Sequence, residues 1–197
     1  MVKVKFISAV ISLSALVGCG TSSNLKRDSE IHVDQSSSIL LLKVSPQYRI
    51  HLLRGRIEEG VWVRPKLDVP EVNIIPESDG YIFVKLKINE ENERLAVSLV
   101  FPGEKAYGPC EGSTGATFDL RANSITYVGE LSYQFDGTTL KYQHKMDISD
   151  AQNYLISNYG TKLPKLEVVP MNPMTIKTTF CAPKGTVTIP IYIPRGR

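Results

Sequence analysis

Three histidines, three cysteines and one glycine-rich loop are the places where this 197-residue chain could do chemistry. A histidine can act as a general base or a metal ligand, but either role needs partner residues at a suitable spacing. His32, His51 and His144 stand far apart, and none belongs to a His-x-x-x-His or Cys-x-x-Cys pattern. His51 alternates with Ile50 and Leu52, which places it on the polar face of a strand, and His144 lies between Gln143 and Lys145, an ordinary surface setting. The loop from Pro102 to Ala116 carries four glycines, Gly103, Gly108, Gly112 and Gly115, but lacks the Gly-Lys-Ser/Thr ending that gives a phosphate loop its cation and metal ligand. Glu111-Gly112-Ser113-Thr114-Gly115 has the wrong glycine spacing for a nucleophile elbow. The loop reads as a turn-rich connection pinned at Cys110. Glu90-Glu91-Asn92-Glu93 reads as a solvated hairpin tip rather than a pair of catalytic carboxylates. The expectation is therefore no enzyme, no cofactor and no metal. A hydrolase assembled from scattered residues would have to take its base from His51 or His144.

The cysteines divide by context. Lys3 and Lys5 form a short basic start, Phe6 to Val17 is mostly apolar, and Leu16-Val17-Gly18 leads directly into Cys19. The apolar run falls well short of the roughly 20 helical residues needed to cross a hydrocarbon core, and it has the layout of an export signal. An ordinary secretory signal ends in a small-x-small site with no reason for a cysteine. The Leu-Val-Gly-Cys ending instead resembles the lipobox of bacterial lipoproteins. That resemblance implies cleavage before Cys19 and attachment of acyl chains such as palmitate to its sulfur and its new α-amino group. It also implies a lipid-anchored place in the cell envelope. Gly20 stands where such lipoproteins use Asp for inner-membrane retention, which implies the outer membrane, facing the periplasm.

With Cys19 committed to lipid, Cys110 and Cys181 remain as an even pair in an oxidising compartment, and a disulfide between them is expected. The rival reading is a reactive thiol at Cys110. Loss of Lys3 and Lys5 with the leader lowers the formal net charge from +3 to +1. No basic run with interleaved aromatics appears, so nucleic acid is excluded as a partner.

These candidates must be positioned by short strands. Residues 1–18 read as the signal peptide, and 19–37 as the lipidated cysteine with a flexible polar tether able to hold the domain tens of ångströms from the bilayer. From Ser38 onward, β-branched and aromatic runs alternate with turn residues: 39–44, 48–54, 61–64, 81–88, 95–101, 117–120, 124–135 and 140–146. Ile125, Tyr127, Gly129, Leu131, Tyr133 and Phe135 are expected on one face of a strand, and Leu95, Val97, Leu99 and Phe101 on one face of another. Asp136-Gly137 signals a tight turn, and Gly129 within its strand signals a bulge or a close approach. Ser149 with Gln152 matches a capping box for one short helix over 149–159, closed by Gly160. Residues 161–197 read as a proline-rich extension with two strands, 175–181 and 186–193, packed on the domain; Pro190 makes the last an edge. The fold class expected is mostly β, an antiparallel β-sandwich with that single helix.

The stretch Phe118-Asp119-Leu120-Arg121-Ala122-Asn123-Ser124-Ile125-Thr126-Tyr127-Val128-Gly129-Glu130-Leu131 resembles a pattern in uncharacterised bacterial lipoproteins that carry a transthyretin-like or carboxypeptidase-regulatory-like sandwich. The resemblance covers residues 38–160 and implies a fold and an address without catalytic residues. The proline-rich tail and the cysteine pair depart from it. The function expected is a non-catalytic binding or adaptor module at the envelope, bound to the membrane through Cys19 and to an unidentified envelope protein or ligand. The alternative is a small-ligand or glycan binder, for which exposed aromatics near Trp62 and Tyr107 would speak.

Overall fold

The computed structural model describes residues 22–67, 69–179 and 181. The leader, Cys19, Gly20 and the run 186–193 lie outside the described residues. The elements are β1 (Ser37–Ser45), β2 (Arg49–Glu58), β3 (Val61–Val63), β4 (Val72–Ile74), β5 (Tyr81–Lys87), β6 (Glu93–Phe101), β7 (Thr114–Phe118), β8 (Ile125–Phe135), β9 (Leu140–Lys145), α1 (Ile148–Tyr159), β10 (Leu166–Val168) and β11 (Asn172–Lys177). The strands β4 and β10, three residues each, carry too short a pattern to be read from sequence.

The chain is mostly β, in two sheets. One has the order β10-β8-β1-β5, with β9 also paired to β8. The other has the order β3-β11-β7-β6-β2-β4, and because β2 also pairs with β3 it closes into a five-stranded barrel with β4 outside. The expectation of purely antiparallel pairing is corrected: β1 with β8, β10 with β8 and β11 with β3 run parallel. Parallel neighbours need a crossover, and between β1 and β8 the crossover contains most of the barrel. β1 is consequently covered on both faces, which is why Ile39-Leu40-Leu41-Leu42 is a continuous apolar run rather than an alternating one.

Three cores follow from this layering. Leu40, Leu42, Ile82 and Val84 of the open sheet meet Leu52, Leu95 and Phe118 of the barrel wall. On the opposite face, Ile39, Leu41 and Phe83 meet Ala151, Tyr154 and Leu155 of α1. Leu53, Trp62, Ala96 and Ile176 form a third core belonging to barrel strands alone.

Both one-face expectations are broken by bulges. Pairing of β8 with β1 slips between Leu41 and Lys43, where Tyr127 faces Leu41 and Glu130 faces Lys43. An extra residue in a period-two strand reverses its parity. Thus Ile125 and Tyr127 point toward the helix, while Leu131 and Tyr133 point toward the barrel. Gly129 sits at the slip with φ +98°. A Cβ there would lie 2.5 Å from the Lys145 carbonyl oxygen, so both the backbone angle and the space favour glycine. Pairing of β2 with β6 slips likewise at Ser98, so Leu95, Val97 and Val100 enter the shared core while Phe101 turns out to meet His51.

The helix is capped by Asp147, not by the expected Ser149–Gln152 box: the Asp147 carboxylate accepts the Asp150 N–H at 2.9 Å. Gly160 closes it with φ +80°, its N–H donating to Ile156 O, as expected. The described part of the segment read as a tether is instead docked. Asn24 Oδ1 accepts the Phe83 N–H at 2.8 Å, and the Leu25 N–H donates to Phe83 O at 2.8 Å. The Tyr159 hydroxyl donates to Leu25 O at 3.0 Å, Arg27 pairs with Glu77 and Asp79, and Ile31 is buried. Polar composition alone suggested disorder, but these groups find partners on β5, on the loop before it and on α1. β10 and β11 of the proline-rich extension are integral to the two sheets.

Candidate functional site

The sequence candidates are not brought together. His51, half-buried on β2, packs its ring against Phe101 at 4.8 Å between centroids. His144 is half-buried, correcting the surface expectation, because the bulge at Gly129 makes room for its ring. Its Nε2 lies 2.7 Å from Val128 O, and since a carbonyl only accepts, that nitrogen carries the proton. Burial lowers the His144 pKa, opposed by this hydrogen bond, and so favours the neutral ring. Trp62 and Tyr107 do not form an exposed aromatic pair. Trp62 belongs to the barrel core, and Tyr107 is buried between the sheets with Phe135 edge-on at 5.0 Å. Tyr127 is core, its hydroxyl donating to Asp147 O at 3.1 Å and so tying β8 to the start of α1. Glu90, Glu91 and Asn92 are exposed at the turn between β5 and β6. Among the described residues no cluster of His, Cys, Asp or Glu could hold a metal, and no helix is long and apolar enough to cross a membrane.

Cys110 and Cys181 form a disulfide with a Cα–Cα distance of 4.6 Å, spanning 71 residues. The glycine-rich loop is pinned beside it as a turn: the Ser113 N–H and hydroxyl both donate to Cys110 O, and Gly112 and Ser113 exchange backbone bonds with Ile176. Glu111 accepts the Thr178 N–H at 2.5 Å. β3 and β11, being parallel, leave the barrel at this same end. Val63, Arg64, Pro65, Lys66, Glu111 and Lys177 line an open groove of about 650 Å³ there. Lys66, Lys177 and Glu111, with Thr178 and Thr179, give this groove a polar lining. The cavity between the sheets, by Tyr107, Tyr133 and Tyr142, measures about 20 Å³. That is room for about one water molecule and far below the ~300 Å³ of a small-ligand pocket.

One charged cluster escaped the sequence reading. The Lys43 ammonium lies 2.5 Å from Asp150 Oδ2, and the Tyr81 hydroxyl donates to the same oxygen at 2.7 Å while its ring stacks on Tyr154 at 4.0 Å. The available signal was a lone lysine inside the apolar run of β1, since a cation in a buried strand requires a partner. The hydrogen bond from Lys43, then that from Tyr81, holds the Asp150 carboxyl below its ordinary range. Burial opposes a charged Lys43, yet the hydrogen bond and charge of Asp150 outweigh it and its pKa rises; burial, then Asp150, raises Tyr81. The cluster works as a clamp between helix and sheet. Because the Asp150 pKa is depressed on folding, its contribution is present above the unfolded value near ~4 and is lost as pH falls through the folded value. Unfolding free energy should therefore fall more steeply below about pH 4 in the wild type than in Asp150→Asn. Equal acid slopes in urea titrations would refute the clamp.

No family model matches the chain, and no curated protein or solved structure matches it either.

Proposed function

We propose that this chain is an exported lipoprotein whose β domain is a non-catalytic binding or adaptor module, held at the outer membrane through Cys19 and facing the periplasm. The observation that carries the reading is the Cys110–Cys181 disulfide, because such a cross-link persists in oxidising compartments and is rare elsewhere. The Leu-Val-Gly-Cys ending of the apolar leader supports the same address. We take the two sheets packed across one core as an elaborated transthyretin-like sandwich in which one layer has closed on itself. Support for binding over catalysis comes from the cluster chemistry: Lys43, Tyr81 and Asp150 clamp the helix, and His144 is committed to a backbone carbonyl.

The test is membrane fractionation with metabolic fatty-acid labelling of the wild type and Cys19→Ala. The variant is expected to lose label and to leave the membrane fraction, since stable anchoring needs more than one acyl chain. Unchanged labelling and recovery would overturn the anchor. The groove beside the disulfide favours a second reading, a small-ligand or glycan binder, because it is open and has a polar lining of Lys66, Glu111, Lys177 and Thr179.

A further inference from the structure

Loops from the two sheets meet beside Tyr107. The loop 102–106 follows β6 of the barrel and is closed where the Val100 N–H donates to Tyr107 O at 2.7 Å and the Tyr107 N–H to Val100 O at 2.8 Å. Gly137 lies in the turn after β8 of the open sheet, where Asp136 Oδ1 accepts the Thr138 and Thr139 N–H groups at 2.9 and 2.7 Å. Each loop is thus held by its own hydrogen bonds. An open pocket of about 310 Å³ lies between them, at the lower end of the range for small-ligand sites.

The wall of this pocket holds groups that folding alone does not use. Phe135 ends β8 with 37% of its surface exposed, in an edge-to-face pair with Tyr107. Tyr107 is only 7% exposed, yet its hydroxyl has no hydrogen-bond partner among the described residues, where polar groups so deeply placed are normally satisfied. Glu104 and Lys105 are exposed and form no ion pair among the described residues. Gly103 lacks both the positive φ and the close neighbour, one or other of which accounts for every other described glycine; a Cβ on it would meet nothing within 4 Å. A glycine in such a place costs conformational entropy on folding, and what it offers is bare backbone that a ligand can approach.

We propose that this pocket binds one pyranose ring of a saccharide, with the apolar C–H face of the ring against Phe135 and its hydroxyls against Glu104, Lys105, the Tyr107 hydroxyl and the backbone at Gly103. This rests on the binding-module reading above and gives its glycan alternative a site that shares no residue with the groove beside the disulfide. A pyranose is flat and apolar on its faces, and its rim both donates and accepts hydrogen bonds. An exposed aromatic ring complements the faces. A carboxylate that only accepts, an ammonium that only donates and a hydroxyl that does both complement the rim. One charge of each sign cancels at longer range, so the pocket selects neither an anion nor a cation.

The experiment titrates cellotriose, maltotriose and the trimer of N-acetylglucosamine into the full-length, disulfide-bonded chain, in a detergent without a sugar headgroup, and follows backbone amide shifts by nuclear magnetic resonance. A dissociation constant on the order of 1 mM is expected for one ring on an open site, with shifts centred on 103–105 and 135–137. Phe135→Ala and Gly103→Ala should each weaken binding about tenfold, the first by removing the stacking ring and the second by placing a methyl group in the site. Phe135→Trp, which keeps a ring, should retain it. Gly103→Ala should leave the urea midpoint unchanged or slightly raised, which separates a binding role from a folding one. Wild-type affinity in both alanine variants overturns the site. Shifts confined to 63–66 and 177–179 move the saccharide to the groove beside the disulfide, which overturns this pocket and leaves the glycan alternative standing. No shift with any trimer overturns the saccharide assignment and leaves the adaptor reading intact. Free phenylalanine also carries a ring and one charge of each sign, and if it shifts these amides where no trimer does, the ligand class is overturned.

Discussion

Trp62→Ala is expected to destabilise the domain by about 3–5 kcal/mol, the range for emptying a large aromatic site from a core. Trp62 is the largest of the fully buried side chains and belongs to a core built by barrel strands alone, with Leu53, Ala96 and Ile176. Its indole N–H donates to Arg94 O at 2.9 Å. Its six-membered ring lies where a Cβ on Gly55 would otherwise project, so β2 can pass beneath it only as glycine. Truncation empties this site and leaves the Arg94 carbonyl without the indole donor. Domains of this kind are stable by only ~5–15 kcal/mol in total, so the variant should sit near its unfolding transition at ambient temperature. Urea unfolding followed by far-UV circular dichroism measures the loss independently of the missing fluorophore. Trp62→Phe, which keeps a ring and loses the hydrogen bond, should cost less, on the order of 1–2 kcal/mol. A loss below about 1 kcal/mol in Trp62→Ala would mean that the barrel core is not structurally important.

Removing the disulfide should have an effect of similar size. The Cys110–Cys181 link closes a loop of 71 residues that contains β7 through β11 together with α1. Chain-entropy reasoning assigns such a loop about 4 kcal/mol, since the unlinked denatured chain samples many more conformations. The paired variant Cys110→Ser/Cys181→Ser is preferable to reduction because it leaves no thiols to mispair. Its urea midpoint should drop by the amount that corresponds to this loss, and adding reductant to the wild type should reproduce the shift. Thiol titration of unreduced protein should find neither cysteine free. A midpoint that does not move would show that the denatured state is not constrained by the link.

Much of the local structure was legible in the amino-acid order. Strand positions follow from runs of β-branched and aromatic residues between turn formers, and these signals are local. The C-terminal end of the helix was readable at Gly160 because a residue with positive φ is needed there. The disulfide was readable because setting Cys19 aside, as the lipobox resemblance implies, leaves two cysteines and one pairing. Gly129 was readable as a bulge because glycine weakens a strand interior unless something requires it.

The arrangement of these pieces was decided by contacts far apart in sequence. Alternation shows which residues share a face only while the register is unbroken, and the slips at Gly129 and Ser98 send residues of one strand into different cores. Closure of the barrel depends on β11 pairing with β3 as well as with β7, and Ile176 lies far along the chain from its partner Trp62, which no local pattern encodes. The polar segment after Ser22 has the composition of a tether. It is ordered because Arg27 finds Glu77 50 residues away and Leu25 O finds Tyr159 134 residues away. Lys43 and Asp150, 107 residues apart, meet only because α1 lies across the open sheet. Composition states which groups need partners, and the folded chain alone determines whether those partners are water, a neighbouring strand or a distant carboxylate.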